Sequence, residues 1–315
     1  MNRRLKRIKS EIEILGDKSI SHRALMIASI SKGITKISNF LFSHDSISTL
    51  NCLKNLGVKI EVNKENVLVY GNGLYSFKFY DGVLDARNSG TTMRLLSGIL
   101  SGYKFKSIID GDISLRKRPM DRIIKPLSLM GANIFAKNSE RFAPIYIEGN
   151  DLKSICYKME VDSAQVKSSI LFAGLYADSV TKIFENIKTR DHTERMLKYF
   201  GSNISFEDGV ICIEKGELIA SDIFIPGDIS SASFFMVLAA GIDGSEVLIK
   251  NVGINETRTG IIDVLKCMGV NVELLNVREN CYEKICDIKV YGTSRLRPIS
   301  ISGDIIPRLI DEIPI

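Results

Sequence analysis

Lys18, Ser19 and Arg23 stand in the segment KSISHRALMIAS, where a small hydroxyl residue opens an apolar run and two cations flank it. The arrangement returns three times. NSGTTMRLLSGIL places Gly90 and Thr91 ahead of Arg94, and SAQVKSSILFAGL places Ser163, Ala164 and Gln165 ahead of Lys167. GDISSASFFMVLAA opens on Asp228 with no base. Such a helix start suits one chemistry. Its first four backbone N–H groups lack an intrahelical acceptor, and the macrodipole makes that end partly positive. Small side chains let a phosphate or carboxylate approach those groups, and a cation one turn on lies on the same face. One such start alone reads as an ordinary N-capped helix. Four in register, three with a base, point to a protein that grips small anions, with the Asp228 start a structural copy.

Two loops add fixed charge. In GDISLRKRPMDRIIKPL, Arg116, Lys117, Arg118 and Arg122 crowd ahead of Pro126. One arginine of such a set can hold a phosphate or carboxylate bidentately while the others face solvent. In KTRDHTERML, Arg190 stands beside Asp191 and His192; an exposed helix start capped by Asp191 or Thr193 is the alternative there. The early run Arg3, Arg4, Lys6, Arg7 and Lys9 reads as a solvated basic edge.

Composition narrows the partners. The 315 residues carry 42 Lys plus Arg against 37 Asp plus Glu, a net charge of +5. That mild excess suits acidic small molecules and, without a continuous basic stripe, argues against nucleic acid. Six cysteines form no CxxC pair and there are three histidines, so neither a zinc site nor a disulfide scaffold is expected, and the setting reads as a reducing cytoplasm. The opening MNRRLKRIKSEIEIL has no apolar run behind it and reads as neither signal peptide nor anchor; no later segment is long enough to span a bilayer.

Internal repetition supplies the elements that must position these residues. LKNLGVKI, LSLMGANI, LKYFGSNI and LKCMGVNV recur about 70 residues apart, each with a leucine four residues before Gly57, Gly131, Gly201 or Gly269. The pattern predicts a helix ending at a left-handed glycine and passing into a strand. ENVLVYG, APIYIEG and VICIEKG alternate as half-buried strands do. The expected fold class is α/β, with α+β repeats of two helices and three or four strands. A fifth helix start is expected at SGDIIPRLIDEIPI, and the chain is expected to be cut short inside that repeat.

GDKSISHRALMIA, NSGTTMRLL, SLRKRPMDRIIKPLSLMGA, SAQVKSSILFAGL, RDHTERML, PGDISSASFF, NETRTGIIDVLKCMG and IPRLIDEIPI together resemble, in order, the motifs of the 5-enolpyruvylshikimate-3-phosphate synthase family. These 3-phosphoshikimate 1-carboxyvinyltransferases move the enolpyruvyl group of phosphoenolpyruvate to the 5-hydroxyl of shikimate 3-phosphate and release phosphate, on the shikimate pathway to chorismate and the aromatic amino acids. The resemblance implies a two-domain enolpyruvyl transferase fold of βαβαββ-type units. Residues 15–225 would be a complete domain on the shikimate 3-phosphate side, and residues 226–315 with 1–14 a partial second one. It implies shikimate 3-phosphate contacts from Lys18, Ser19, Arg23, Ser163, Ala164, Gln165, Thr189, Arg190 and Asp311. Phosphoenolpyruvate would meet Lys18, Gly90, Arg118 and Gln165, with Asp311 as proton acceptor and Lys18 as a second catalytic residue. No metal or organic cofactor, no nucleic acid and no membrane would be needed, and the chain would be a monomer.

One departure is the Ala86-Arg87 pair ahead of Asn88, where the family commonly shows a glycine. The related transferase acting on UDP-N-acetylglucosamine carries a reactive cysteine in the loop that here reads DISLRKR, which sets it aside. A fragment that only binds shikimate 3-phosphate is the alternative from another class.

Overall fold

A computed structural model describes residues 6–64, 66–138, 141–207 and 209–315. In chain order the elements are β1 (Lys9–Glu13), α1 (Lys18–Ser29), β2 (Lys32–Ser38), α2 (His44–Asn55), β3 (Lys59–Asn63) and β4 (Asn66–Asn72). Then come β5 (Val83–Asp85), α3 (Gly90–Leu100), β6 (Lys106–Asp110), α4 (Asp121–Leu129), β7 (Asn133–Asn138) and β8 (Phe142–Glu148). The third set is β9 (Cys156–Lys158), α5 (Ala164–Gly174), β10 (Thr181–Phe184), α6 (His192–Tyr199), β11 (Ile204–Glu207) and β12 (Val210–Ile213). The last is β13 (Ile223–Phe224), α7 (Ile229–Ala240), β14 (Glu246–Gly253), α8 (Gly260–Cys267), β15 (Asn271–Asn280) and β16 (Glu283–Tyr291). The chain divides into two compact units, Lys18–Ile223 and Met1–Asp17 with Phe224–Ile315.

One pattern builds every sheet. In β5-β6-β8-β7 the first two strands are parallel and the rest antiparallel, and β9-β10-β12-β11 repeats it. The order β13-β2-β4-β3 puts the late strand β13 where the other repeats use their own first strand. In the smaller unit β1 fills that place, parallel to β14 in the order β1-β14-β16-β15. Strand β1 is therefore a sheet edge, and Lys6, Arg7 and Lys9 are exposed around it; Arg3 and Arg4 lie outside the described residues.

The four repeat glycines all take the left-handed conformation, with φ of +86°, +96°, +84° and +93° at Gly57, Gly131, Gly201 and Gly269. The residue after each donates its N–H five residues back: Val58 to Leu53, Ala132 to Leu127, Ser202 to Leu197 and Val270 to Leu265. This is the Schellman closure, and the leucine of each LxxxG supplies an acceptor for it. Buried alternation along β4 and β8 matches the strands read from sequence. Gly98, inside α3, is required by close approach, because a Cβ there would stand 2.2 Å from the Ser169 carbonyl oxygen of α5. That approach packs the last turn of α3 against the middle of α5.

The fifth helix start does not form. Residues 303–315 fold as a 3-10 turn at Gly303–Ile305 and further turns, with Ile306 bonded to Gly303, Arg308 to Ile305, Leu309 to Ile306 and Glu312 to Leu309. Pro307 has no N–H to donate to the turn, although Ile306 before it keeps helical backbone angles, with φ of −58° and ψ of −51°. Among the described residues no helix is long and apolar enough to cross a membrane.

Candidate active site

The first turns of α1, α3, α5 and α6 are tied to one another by side chains. Arg23, buried on α1, donates from Nε to Thr193 Oγ1 of α6 at 2.6 Å, from Nη2 to Ser168 Oγ of α5 at 3.0 Å and from Nη1 to the Ser19 carbonyl at 3.0 Å. Ser168 and Thr193 share a hydrogen bond of 2.6 Å. His22 Nδ1 meets Thr49 Oγ1 at 2.7 Å, and Thr49 meets Thr92 Oγ1 at 2.7 Å, which links α1 through α2 to α3. Ser89 caps α3 by accepting from Thr92 N at 3.0 Å. The hydroxyls of the Ser/Thr-rich starts thus serve the cap and the neighbouring helix together.

Around Gly90 the charge is densest. Arg94, one turn along α3, donates to Gln165 Oε1 and, at 3.1 Å, to the Pro119 carbonyl. Gln165 returns a bond from Nε2 to Thr91 Oγ1 at 3.0 Å. Arg118 bonds Asn88 Oδ1, and Asn88 in turn donates to Asp112 at 2.7 Å. A Cβ on Gly90 would lie 3.2 Å from Nη1 of Arg94 and 3.5 Å from Nη1 of Arg118. Two guanidinium groups therefore converge on a spot with no side chain. Burial, then the charges of Arg122 and Arg118, push the Arg94 guanidinium down to about 10. An anion at Gly90 would relieve that repulsion. Of the crowded bases nearby, Arg116 is spent on Asp110, with Nε donating at 2.9 Å, and Lys117 is exposed.

Lys18 is half-exposed, 3.5 Å from Asp45 Oδ2 in the first turn of α2. Ser163 holds the N-cap position of α5 without a side-chain cap bond, and Ser163, Ala164 and Gln165 are all partly exposed. Thr189 donates to Glu185 Oε1 from its backbone at 3.0 Å and from its hydroxyl at 2.5 Å, with Arg190 beside it. The α6 start is not exposed: Asp191, His192 and Thr193 are all buried. Asp191 receives both Nε (2.8 Å) and Nη2 (3.0 Å) of Arg195 and makes no side-chain cap bond. Its carboxylate is drawn by a charge that the cap N–H cannot match.

In the smaller unit the Asp228 start does have a base, brought from outside its own helix. Arg258 is buried and donates to Asp17 Oδ2 at 3.0 Å, Asp228 Oδ1 at 3.0 Å and Ser230 Oγ at 2.7 Å. Ser230 Oγ donates to the buried Glu312. Burial opposes the Arg258 charge, yet Asp17, Asp228, Glu312 and Asp311 more than offset it and raise its pKa. Asp311 itself is exposed beside Glu312. Arg258 stands in the NETRTG motif, but its role was not legible there, because its partners are up to 241 residues away.

Repeated α/β units whose helix starts gather arginines around small residues define a protein that holds small polyanionic substrates. The chain belongs to the EPSP synthase family: the family described as EPSP synthase (3-phosphoshikimate 1-carboxyvinyltransferase) matches residues 3–315. A 3-phosphoshikimate 1-carboxyvinyltransferase of Thermodesulfovibrio yellowstonii is 51% identical, over 100% of this chain and 75% of the relative. One from a Thermoanaerobacter species is 53% identical, over 98% and 72%. The solved structure of EPSP synthase from Acinetobacter baumannii superimposes with a TM-score of 0.92 at 45% identity, covering 98% of this chain and 70% of that one.

Proposed function

We propose that the protein transfers the enolpyruvyl group of phosphoenolpyruvate to the 5-hydroxyl of shikimate 3-phosphate and releases phosphate. Family membership supports the reaction, and the convergence of Arg94 and Arg118 on Gly90 is the observation that carries the site. The substrates bring two phosphates and two carboxylates together, so their encounter needs a cationic lining. Phosphoenolpyruvate sits against Gly90 with Arg118 on its phosphate, and Gln165 and Lys18 reach both substrates. Ser163, Ala164, Gln165, Ser19, Thr189 and Arg190 receive the shikimate phosphate and ring. Arg23 contributes from a buried position, where it also fixes α5 and α6. Residues 15–225 are the shikimate 3-phosphate side, and residues 226–315 with 1–14 supply Asp311.

The chemistry runs as addition and elimination. The 5-hydroxyl oxygen bonds to C2 of phosphoenolpyruvate, its proton passes to Asp311, and the methylene carbon gains a proton to become a methyl. Loss of a methyl proton restores the double bond as the C2–O bond to phosphate breaks. Lys18, positively charged between the substrates, stabilises charge that develops on the departing phosphate. The test is phosphate release by the purified chain with each substrate alone and with both. Release that requires both, with the enolpyruvyl ether as product, is expected. A chain that releases no phosphate and does not bind shikimate 3-phosphate in calorimetry would overturn the reading.

A further inference from the structure

Lys167 has no solvent exposure, although it lies only one turn into α5. Its backbone N–H closes that turn on the Ser163 carbonyl at 3.0 Å. Its ammonium lies 3.0 and 3.1 Å from the two oxygens of Glu185 and 2.6 Å from Glu194 Oε1. Glu185 is the residue whose Oε1 accepts both the N–H and the hydroxyl of Thr189. A continuous polar chain thus runs from the Ser163–Gln165 turn through Lys167 and Glu185 to Thr189–Arg190.

We propose that Lys167 is a positioning residue for the shikimate phosphate, holding Thr189–Arg190 in register with the Ser163–Gln165 turn through Glu185. The inference rests on the function proposed above. A buried ammonium with carboxylates is poor value as pure stabilisation, because desolvation of the charges offsets their attraction. What it supplies is direction. The ammonium directs a hydrogen bond to Glu185 Oε2, which must lie where a proton points, while Glu194 beside it serves as a counter-charge. An apolar residue there would leave the 185–190 segment unaddressed. Lys167 therefore acts on the ligand only through Glu185, and its loss should weaken the phosphate contact while leaving the shikimate ring contacts.

Calorimetry with shikimate 3-phosphate and with shikimate measures the part of affinity that depends on the phosphate. Lys167→Met and Glu185→Ala should each cut the phosphate-dependent preference by about tenfold or more, with shikimate affinity within about twofold of wild type. Glu185→Gln keeps an acceptor for Thr189 and should fall between Glu185→Ala and wild type. General loosening of the fold would weaken both ligands alike. Glu185→Ala leaves the Lys167–Glu194 pair intact, so it carries the test alone where Lys167→Met does not fold. A folded Glu185→Ala variant with the wild-type preference overturns the inference and leaves the proposed function standing. A wild-type chain with no preference for the phosphate ester overturns the function itself, and the inference with it.

Discussion

Replacing Gly90 with alanine should move stability and binding in opposite directions. Gly90 is the first residue of α3 and is absent from the left-handed glycines, so its backbone accepts a Cβ. Removing a glycine from a helix there should stabilise by about 0.4–1 kcal/mol, chiefly through the unfolded chain. For a protein of this size that is a rise in Tm of roughly 1–4 °C. The new methyl would stand 3.2 Å from Arg94 Nη1, 3.5 Å from Arg118 Nη1 and 3.8 Å from Arg94 Cζ. Those are the far ends of flexible side chains, so the fold can yield by a few tenths of an ångström. The space that a bound anion would share with both guanidiniums is nevertheless filled. One misplaced methyl in a fitted pocket costs about 1–3 kcal/mol, so KM for phosphoenolpyruvate should rise about tenfold to a hundredfold. Affinity for shikimate 3-phosphate should stay within about twofold, because its proposed contacts lie on other residues. Initial rates at saturating shikimate 3-phosphate, beside thermal melts, read both effects. A raised Tm with an unchanged KM would remove phosphoenolpyruvate from the Gly90 spot.

Three further outcomes test the surrounding structure. Arg258→Met should destabilise by about 3–5 kcal/mol, because Asp17, Asp228 and Glu312 lose their shared buried counter-charge; denaturant unfolding that matches wild type would refute the clamp. Burial holds the Glu194 carboxyl above its ordinary value, against the pull of Lys167. A carboxyl raised in the folded state favours folding below its unfolded pKa and loses that contribution as pH rises through the folded one. The Tm of Glu194→Gln relative to wild type should therefore rise as pH climbs from the ordinary carboxyl range through the raised folded value, and a relative Tm that falls would reverse the sign. Arg87 has φ of +49°, so Arg87→Gly should relieve left-handed strain and stabilise by up to about 1 kcal/mol after glycine's own entropy cost. A fall in Tm would show instead that the arginine's contacts outweigh its backbone strain.

That Arg87 angle also gives the physical reason for the glycine the family commonly shows before the asparagine, a departure visible in sequence without its cause. The helix ends were the most legible features, because LxxxG states its own geometry: a leucine carbonyl, a left-handed glycine and the N–H that closes them. The helix starts were legible as elements but only half legible as chemistry. A base four or five residues after a serine shows that a charge is near the start, and the partner it takes is set by another repeat. Arg94 is engaged by Gln165 from 71 residues on, Arg23 by Thr193 from 170 residues on, and Arg258 by Asp17 from 241 residues back. Local pattern carries no register across such distances. The SGDIIPRLIDEIPI segment misled for the opposite reason. Its composition matches a helix start, but Pro307 removes a donor from the turn that would have to propagate.

These long-range partners change what the repeated base does. Bringing several helix starts together is unfavourable on charge alone, since each end is partly positive and each adds a cation. The structure answers by giving each of these bases an acceptor on a neighbouring element. Arg23 uses the hydroxyls of Ser168 and Thr193, Arg94 uses Gln165 and the Pro119 carbonyl, and Lys167 uses Glu185 and Glu194. The same bonds that satisfy the cations brace the helices. Lys167 takes carboxylates, while Arg94 has neutral acceptors and a pKa depressed first by burial and then by the charges of Arg122 and Arg118. Positive charge left partly uncompensated beside Gly90, where there is also room, is the condition under which a doubly charged phosphate ester binds by relieving repulsion already present in the protein. Neutralising Arg122 by Arg122→Gln should then raise the Arg94 pKa, weaken phosphoenolpyruvate binding and steepen neither the shikimate 3-phosphate isotherm nor the thermal transition. If phosphoenolpyruvate bound as well to that variant, repulsion among the guanidiniums would not be the source of its affinity.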